Sequence, residues 1–164
     1  MAVPEDFSDW LIGQRSALLR SALLLTGDLA AAEDLVQEAA IKVAARWDRL
    51  RDQQPTAYAR RILYRDHASW WRRRRETPTA VDQDRPLPGP DHEQRSVLLG
   101  VLAGLPPGQR AVIVLRYFDD LTERQTADLL GVSVGTVKSQ AHAALTRLRS
   151  HGELRDLVGE ETRP

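Results

Sequence analysis

The chain has 164 residues, 42% of them apolar, enough for one medium domain or two very small ones. It contains no cysteine, which excludes structural disulfides, thiolate zinc sites and cysteine nucleophiles and makes a reduced, cytoplasmic setting the natural one. Formal net charge is zero, from 23 basic and 23 acidic residues, which argues against a protein that coats nucleic acid indiscriminately.

The start of the chain carries Glu5, Asp6 and Asp9 where a secretory signal needs basic then apolar residues. No stretch approaches the roughly 18 unbroken apolar residues of a membrane span. Apolar residues at Trp10, Leu11, Ala17, Leu18, Ala22 and Leu25 predict a first helix from Phe7 to about Leu25, stopped by Gly27. Asp28 is placed to cap a second helix reaching Trp47, with Ala32, Val36, Ala39, Val43 and Trp47 as its core stripe. Asp34, Glu38, Ile41 and Ala45, with Gln37 beside them, form another stripe of that helix. Its plain reading is an ordinary solvated face.

Charge is unevenly spread. Asp28, Glu33, Asp34 and Glu38 stand between Arg20 and Lys42 with no base among them, whereas Lys42 to Arg75 holds eleven bases against Asp48, Asp52 and Asp66. Only Lys42 and Lys138 are lysines; a GC-rich genome accounts for this more simply than function, although arginine also suits forked phosphate contacts and stacking on bases. Pro55 opens a third helix, Thr56 to Arg75, with Tyr58, Ala59, Ile62, Leu63 and Trp70 on a core side. The other side mixes Arg60, Arg61, Tyr64, Arg65, Trp71 and Arg72, and the helix ends in Arg72, Arg73, Arg74 and Arg75. Rings that stack on any base, flanked by guanidinium groups that follow the backbone, suit unpaired DNA. A solubilising arginine cluster beside core aromatics is the alternative.

Thr77 to Asp91 holds four prolines and no apolar periodicity, and reads as a flexible linker. No period-2 runs argue for a sheet, so the expected fold class is all-α: two small helical domains, at 7–76 and 92–151, with a frayed tail at 152–164. In the second domain, Val97 to Leu102 reads as a short helix, Leu105 to Gly108 as a turn and Gln109 to Phe118 as another helix. Thr122 and Gln125 match a capping box for a helix that breaks at Gly131, and Ser133 is a good N-cap for the next, which runs through Val137, Ala141, Ala144 and Leu148.

Ala127, Gly131 and Val137 have the spacing of a DNA-binding helix-turn-helix. Alanine allows close helix approach, glycine takes the left-handed turn and valine plugs the second helix into the core. Thr136, Lys138, Ser139, Gln140 and His142 then face outward with no carboxylate between Asp128 and Glu153, so the helix can enter a major groove unopposed. A purely structural helical hairpin is the competing reading. Gly131, Ser133 and Gly135 formally match the nucleophile-elbow pattern, but that motif follows a strand and here a helix precedes it. The four histidines are scattered, no phosphate-binding glycine loop is present, and no cofactor is expected.

These residues carry a resemblance. Residues 32–39 (AEDLVQEA), 55–62 (PTAYARRI), 70–75 (WWRRRR) and 135–139 (GTVKS), with Leu105-Pro106 and Leu115-Arg-Tyr117, resemble a bacterial RNA polymerase sigma factor of the extracytoplasmic-function type, as in the short SigE-like forms of high-GC bacteria. The similarity spans about Phe7 to Arg149. It implies that the first domain, sigma domain two, binds the polymerase clamp on the beta-prime subunit through Asp34, Leu35, Gln37, Glu38 and Ile41. The same domain opens the promoter −10 element through Trp47, Arg60, Arg61, Tyr64, Arg65, Trp71, Arg72, Arg73, Arg74 and Arg75, with the loop Asp48 to Gln54 capturing a flipped base.

Sigma domain four would read the −35 element through Ser133, Gly135, Thr136, Lys138, Ser139, Gln140, His142 and Arg147 and hold the beta-subunit flap. The implied partners are core RNA polymerase, promoter DNA and, as an open question, an anti-sigma factor, with one copy per holoenzyme and no attached sensor domain. Arg65, Gln125-Thr126 and Gln140 depart from the common pattern, so the promoter sequence does not carry over. A stand-alone helix-turn-helix regulator is the alternative function; an enzyme acting on nucleic acid lacks clustered carboxylates for its metal ions.

Overall fold

The computed structural model describes residues 3–76 and 92–151, without the side chains of 70–76 and 92. The expected linker and tail lie outside the described residues. Every regular element among the described residues is helical, and no helix there is long and apolar enough to cross a membrane.

α1 (Glu5–Thr26) ends at Gly27, whose φ of 69° is the left-handed conformation that lets its N–H reach the Leu23 carbonyl. Asp28 caps α2 (Leu29–Ala44), its Oδ1 accepting from the Ala31 N–H at 2.9 Å. The expected continuation of that helix to Trp47 does not occur. The chain turns at Arg46 and restarts as a one-turn helix, α3 (Trp47–Leu50), which swings the Trp47 indole against Phe7 and Trp10 at ring separations of 5.3 and 5.5 Å. Burying three rings together outweighs one further turn of α2. α4 (Pro55–Glu76) starts at its proline and packs on α1 and α2 through Ala59, Ile62 and Leu63.

α5 (His92–Ala103) is longer than the pattern indicated. α6 (Pro107–Ile113) begins inside the expected proline turn and passes into a π-helical turn, Val114–Phe118, in place of one continuous helix. The extra residue in that turn lets the Asp119 N–H donate to the Val114 carbonyl, and Asp120 follows at φ 53°, which a short polar side chain tolerates. α7 (Glu123–Leu130) carries both halves of the capping box: Gln125 N–H to Thr122 Oγ1 at 3.1 Å and Thr122 N–H to Gln125 Oε1 at 2.9 Å. Gly131 has φ 68°, and Ser133 caps α8 (Val134–Ser150), as expected. Ala127 and Val137 are buried with Val112, the packing that the helix-turn-helix spacing requires.

The two lobes share one core. Leu18, Leu25, Val43 and Leu63 of the first lobe belong to the same buried cluster as Leu102, Leu105, Ile113, Val114 and Leu115 of the second. α1 meets α5, α6 and the π turn, while α4 meets α6 and α7. Arg110 crosses the junction: its guanidinium donates to the carbonyls of Leu102, Ala103 and Leu105 at 2.8–3.1 Å and to that of Leu25, at the end of α1, at 2.8 Å. Burial lowers its pKa, and the carbonyl oxygens are what make a buried cation tolerable.

Candidate nucleic-acid interface

On α2 the residues Asp34, Gln37, Glu38 and Ile41 share an exposed face, Ile41 with 56% of its surface open to solvent. Glu38 of α2 and Asp66 of α4 both pair with Lys42, at 3.3 and 2.8 Å, which ties this face to α4. The Asp66 bond is the larger cause of the raised Lys42 pKa. Leu35, expected on this face, is 7% exposed and packs in the core beside Ala32, Val36 and Ala39.

α4 divides differently from its expected faces. Arg61 and Arg65 are exposed and project from one side. Tyr64 is 4% exposed, with its hydroxyl donating to Asp119 Oδ2 at 3.4 Å, so it is not an open stacking platform in this arrangement. Arg60, one turn earlier, is half-covered and places Nε 3.8 Å from the same oxygen. Burial, and then the Asp119 carboxylate, push the Tyr64 pKa well above its usual value, so its proton stays on. Trp47 is likewise corrected: in the aromatic cluster at 5% exposure it is a core residue. The side chains of Trp71, Arg72, Arg73, Arg74 and Arg75 lie outside the described residues, whose backbone there is still helical.

Tyr58, expected in the core, is half-buried at the start of α4, where Arg46 hydrogen-bonds its hydroxyl and lies over its ring at 5.8 Å. This guanidinium-on-aromatic pair sits next to the 51–54 loop, and no periodicity links the two residues. Sequence reasoning also missed Asp119, because an aspartate in a predicted turn reads as solvent-exposed.

On α8, Gly135, Lys138, Ser139, His142 and Arg147 are exposed. Ser133 and Thr136 spend their hydroxyls on the helix start, 2.9 Å apart, with the Thr136 N–H donating to Ser133 Oγ at 3.1 Å. Ser139 returns its hydroxyl to the Thr136 carbonyl at 3.0 Å. Gln140 is half-buried, its amide lying over Gly108 so that a Cβ there would meet it at 3.8 Å. Lys138 extends past Glu123 of α7 at 3.8 Å, remaining 63% exposed and open to a phosphate. The face therefore presents Lys138, His142 and Arg147 around the half-buried Gln140 amide, with the Ser133, Thr136 and Ser139 hydroxyls engaged on the helix itself.

A helix-turn-helix on one lobe, with separate acidic and arginine-bearing helix faces on the other, is an arrangement suited to a DNA-reading protein. The first lobe matches Sigma-70 region 2 over residues 11–77 and the second Sigma-70, region 4 over residues 95–148. The chain is 40% identical to the RNA polymerase sigma-E factor of Streptomyces avermitilis over 157 residues, covering 93% of this chain and 88% of that protein. It is 35% identical over 136 residues to the ECF RNA polymerase sigma factor ShbA of Streptomyces griseus, covering 74% and 71%. In fold it is similar to the sigma factor RpoE of Bartonella quintana, solved in complex with the anti-sigma factor NepR, with a TM-score of 0.75 at 23% identity over 97% of this chain and 100% of that one. The chain belongs to the sigma-70 family of RNA polymerase sigma factors, in its extracytoplasmic-function class.

Proposed function

We propose that this sigma factor docks on the clamp of core RNA polymerase through Asp34, Gln37, Glu38 and Ile41 of α2 and on the beta-subunit flap through its second lobe. It reads the −35 element with α8 and engages the −10 strand with Arg61, Arg65 and the arginine-rich end of α4. It acts as a promoter-recognition subunit, one copy per holoenzyme, with the chemistry left to the polymerase and the work done in the cytoplasm. The similar sigma factor RpoE, solved in complex with the anti-sigma factor NepR, supports a partner of that kind for this chain as well.

The observation that carries the reading is the pairing of an exposed acidic and apolar face on α2 with a fully capped helix-turn-helix on the other lobe. An operator-binding repressor needs the second and has no use for the first. Lys138 supplies charge to a phosphate, His142 reaches toward the groove, and Gln140 reads a base edge from a shallower position than an extended side chain would. Footprinting of core polymerase with and without the chain tests the assignment. The proposal expects two protected blocks, one per lobe, with Lys138→Ala weakening only the upstream block; a single block would favour the stand-alone regulator.

A further inference from the structure

Asp119 belongs to the second lobe, and its side chain has 0% exposure. Among the described residues, the first lobe brings three donors to it: Ser21 Oγ of α1 at 2.6 Å, Tyr64 OH of α4 at 3.4 Å and Arg60 Nε of α4 at 3.8 Å. Taking a carboxylate out of water is expensive and is offset only when its lone pairs are well satisfied. Here one bond is short, one is long and the guanidinium stands off. The rest of the junction is apolar, with Leu25 and Leu115 in the shared core, so this buried polar set is the part of it for which water competes most strongly. When the lobes part, water satisfies every group in the set.

The chemistry of the set is also specific. An arginine and hydroxyl groups gathered round an oxyanion are what a DNA backbone phosphate receives. Asp119 occupies that position, and in doing so it withdraws the Arg60 and Tyr64 face of the helix assigned to the −10 strand.

We propose that Asp119 is an intramolecular latch that stands in for a DNA phosphate, closing the second lobe over the Arg60 and Tyr64 face of α4 until the two lobes are drawn apart. Closure and opening rest on the interface alone; competition with DNA rests in addition on the assignment of α4 to the −10 strand.

The test uses the full chain. It has no native cysteine, so Ala30→Cys and Arg124→Cys, exposed on α2 and α7, carry the only two spin labels for a distance measurement. The chain without further change should give one narrow distance. Ser21→Asp sets a second carboxylate against Asp119 and should give a longer, broad distribution. The exchange Ser21→Asp with Asp119→Ser restores one donor and one carboxylate and should bring the short distance back. Asp119→Ser alone is a second route to opening that adds no bulk. In fluorescence anisotropy with a single-stranded oligonucleotide of about twelve nucleotides, opening should tighten binding by about tenfold as the binding-competent fraction rises.

Ser21→Asp adds negative charge, so tighter binding by that variant cannot come from charge alone. A broad distribution in the unaltered chain, or a short distance retained in both Ser21→Asp and Asp119→Ser, overturns the latch. Opening without tighter binding overturns the competition with DNA and separates that failure from the latch itself.

Discussion

His67 lies on the covered face of α4, where burial first, and then the charge of Arg110, lower its pKa from 6.5 to about 4. The folded state therefore holds fewer protons than the unfolded chain between those values. The stabilisation is fully present above pH 6.5 and is lost as the pH falls toward 4. At about 1.4 kcal/mol per pKa unit, this residue should cost about 2 kcal/mol of stability between pH 7 and pH 5. His67→Leu should flatten that part of the profile in urea unfolding; an unchanged profile would place the pH sensitivity elsewhere. Trp47 is a residue whose role moves on burial. Trp47→Ala should cost about 3–5 kcal/mol by opening the cluster with Phe7 and Trp10, and should leave the strand affinity of the folded fraction intact. A loss of affinity without a loss of stability would return Trp47 to the DNA face.

Among the elements, α2 and α8 carry assignments that charge and geometry can test separately. Asp34→Arg reverses charge on an exposed site of α2 and should weaken assembly with core polymerase in a pull-down while leaving helicity unchanged. Glu38→Arg does the same but also breaks the Lys42 pairing, so Asp34 is the cleaner probe. On α8, Lys138→Ala should weaken binding to all −35 sequences alike and reduce the salt slope by about one. Gln140→Ala should instead relax preference at one base position by about 1–3 kcal/mol across a library of −35 sequences. If the two variants respond in parallel, the division between phosphate and base contacts is wrong.

The capped helices and the helix-turn-helix were legible because their signals are local: Asp28, Gly27, Thr122 with Gln125, Gly131 and Ser133 each act within a turn of their own position. The break after Ala44 and the π turn at Val114 were not, since both answer to distant partners, the Phe7 and Trp10 rings in one case and the α1 and α4 faces in the other. The same limit misplaced Tyr64. Periodicity tells which residues share a face of α4, and it is silent on which neighbour covers that face.

At the scale of the molecule, the chain divides into two lobes by sequence yet is joined by a common apolar core, by the Arg110 guanidinium on the Leu25 carbonyl and by Asp119 on Ser21. The composition of the linker predicted a flexible connection between two small domains, and it gave no sign that the chain's own residues build the junction. On the proposed function the two lobes read separated promoter elements, and on the proposed latch the apolar contacts between them are then exchanged for contacts with polymerase and DNA. The acidic face of α2 and the outer face of α8 are already exposed in the closed form, which lets docking on polymerase precede opening. The most direct measurement of whether all this serves promoter recognition is run-off transcription by core polymerase on genomic fragments, with and without the chain and with Asp34→Arg in its place. Discrete transcripts that appear only with the unaltered chain are the expected result; the same transcripts from core polymerase alone, or undiminished with Asp34→Arg, would contradict it.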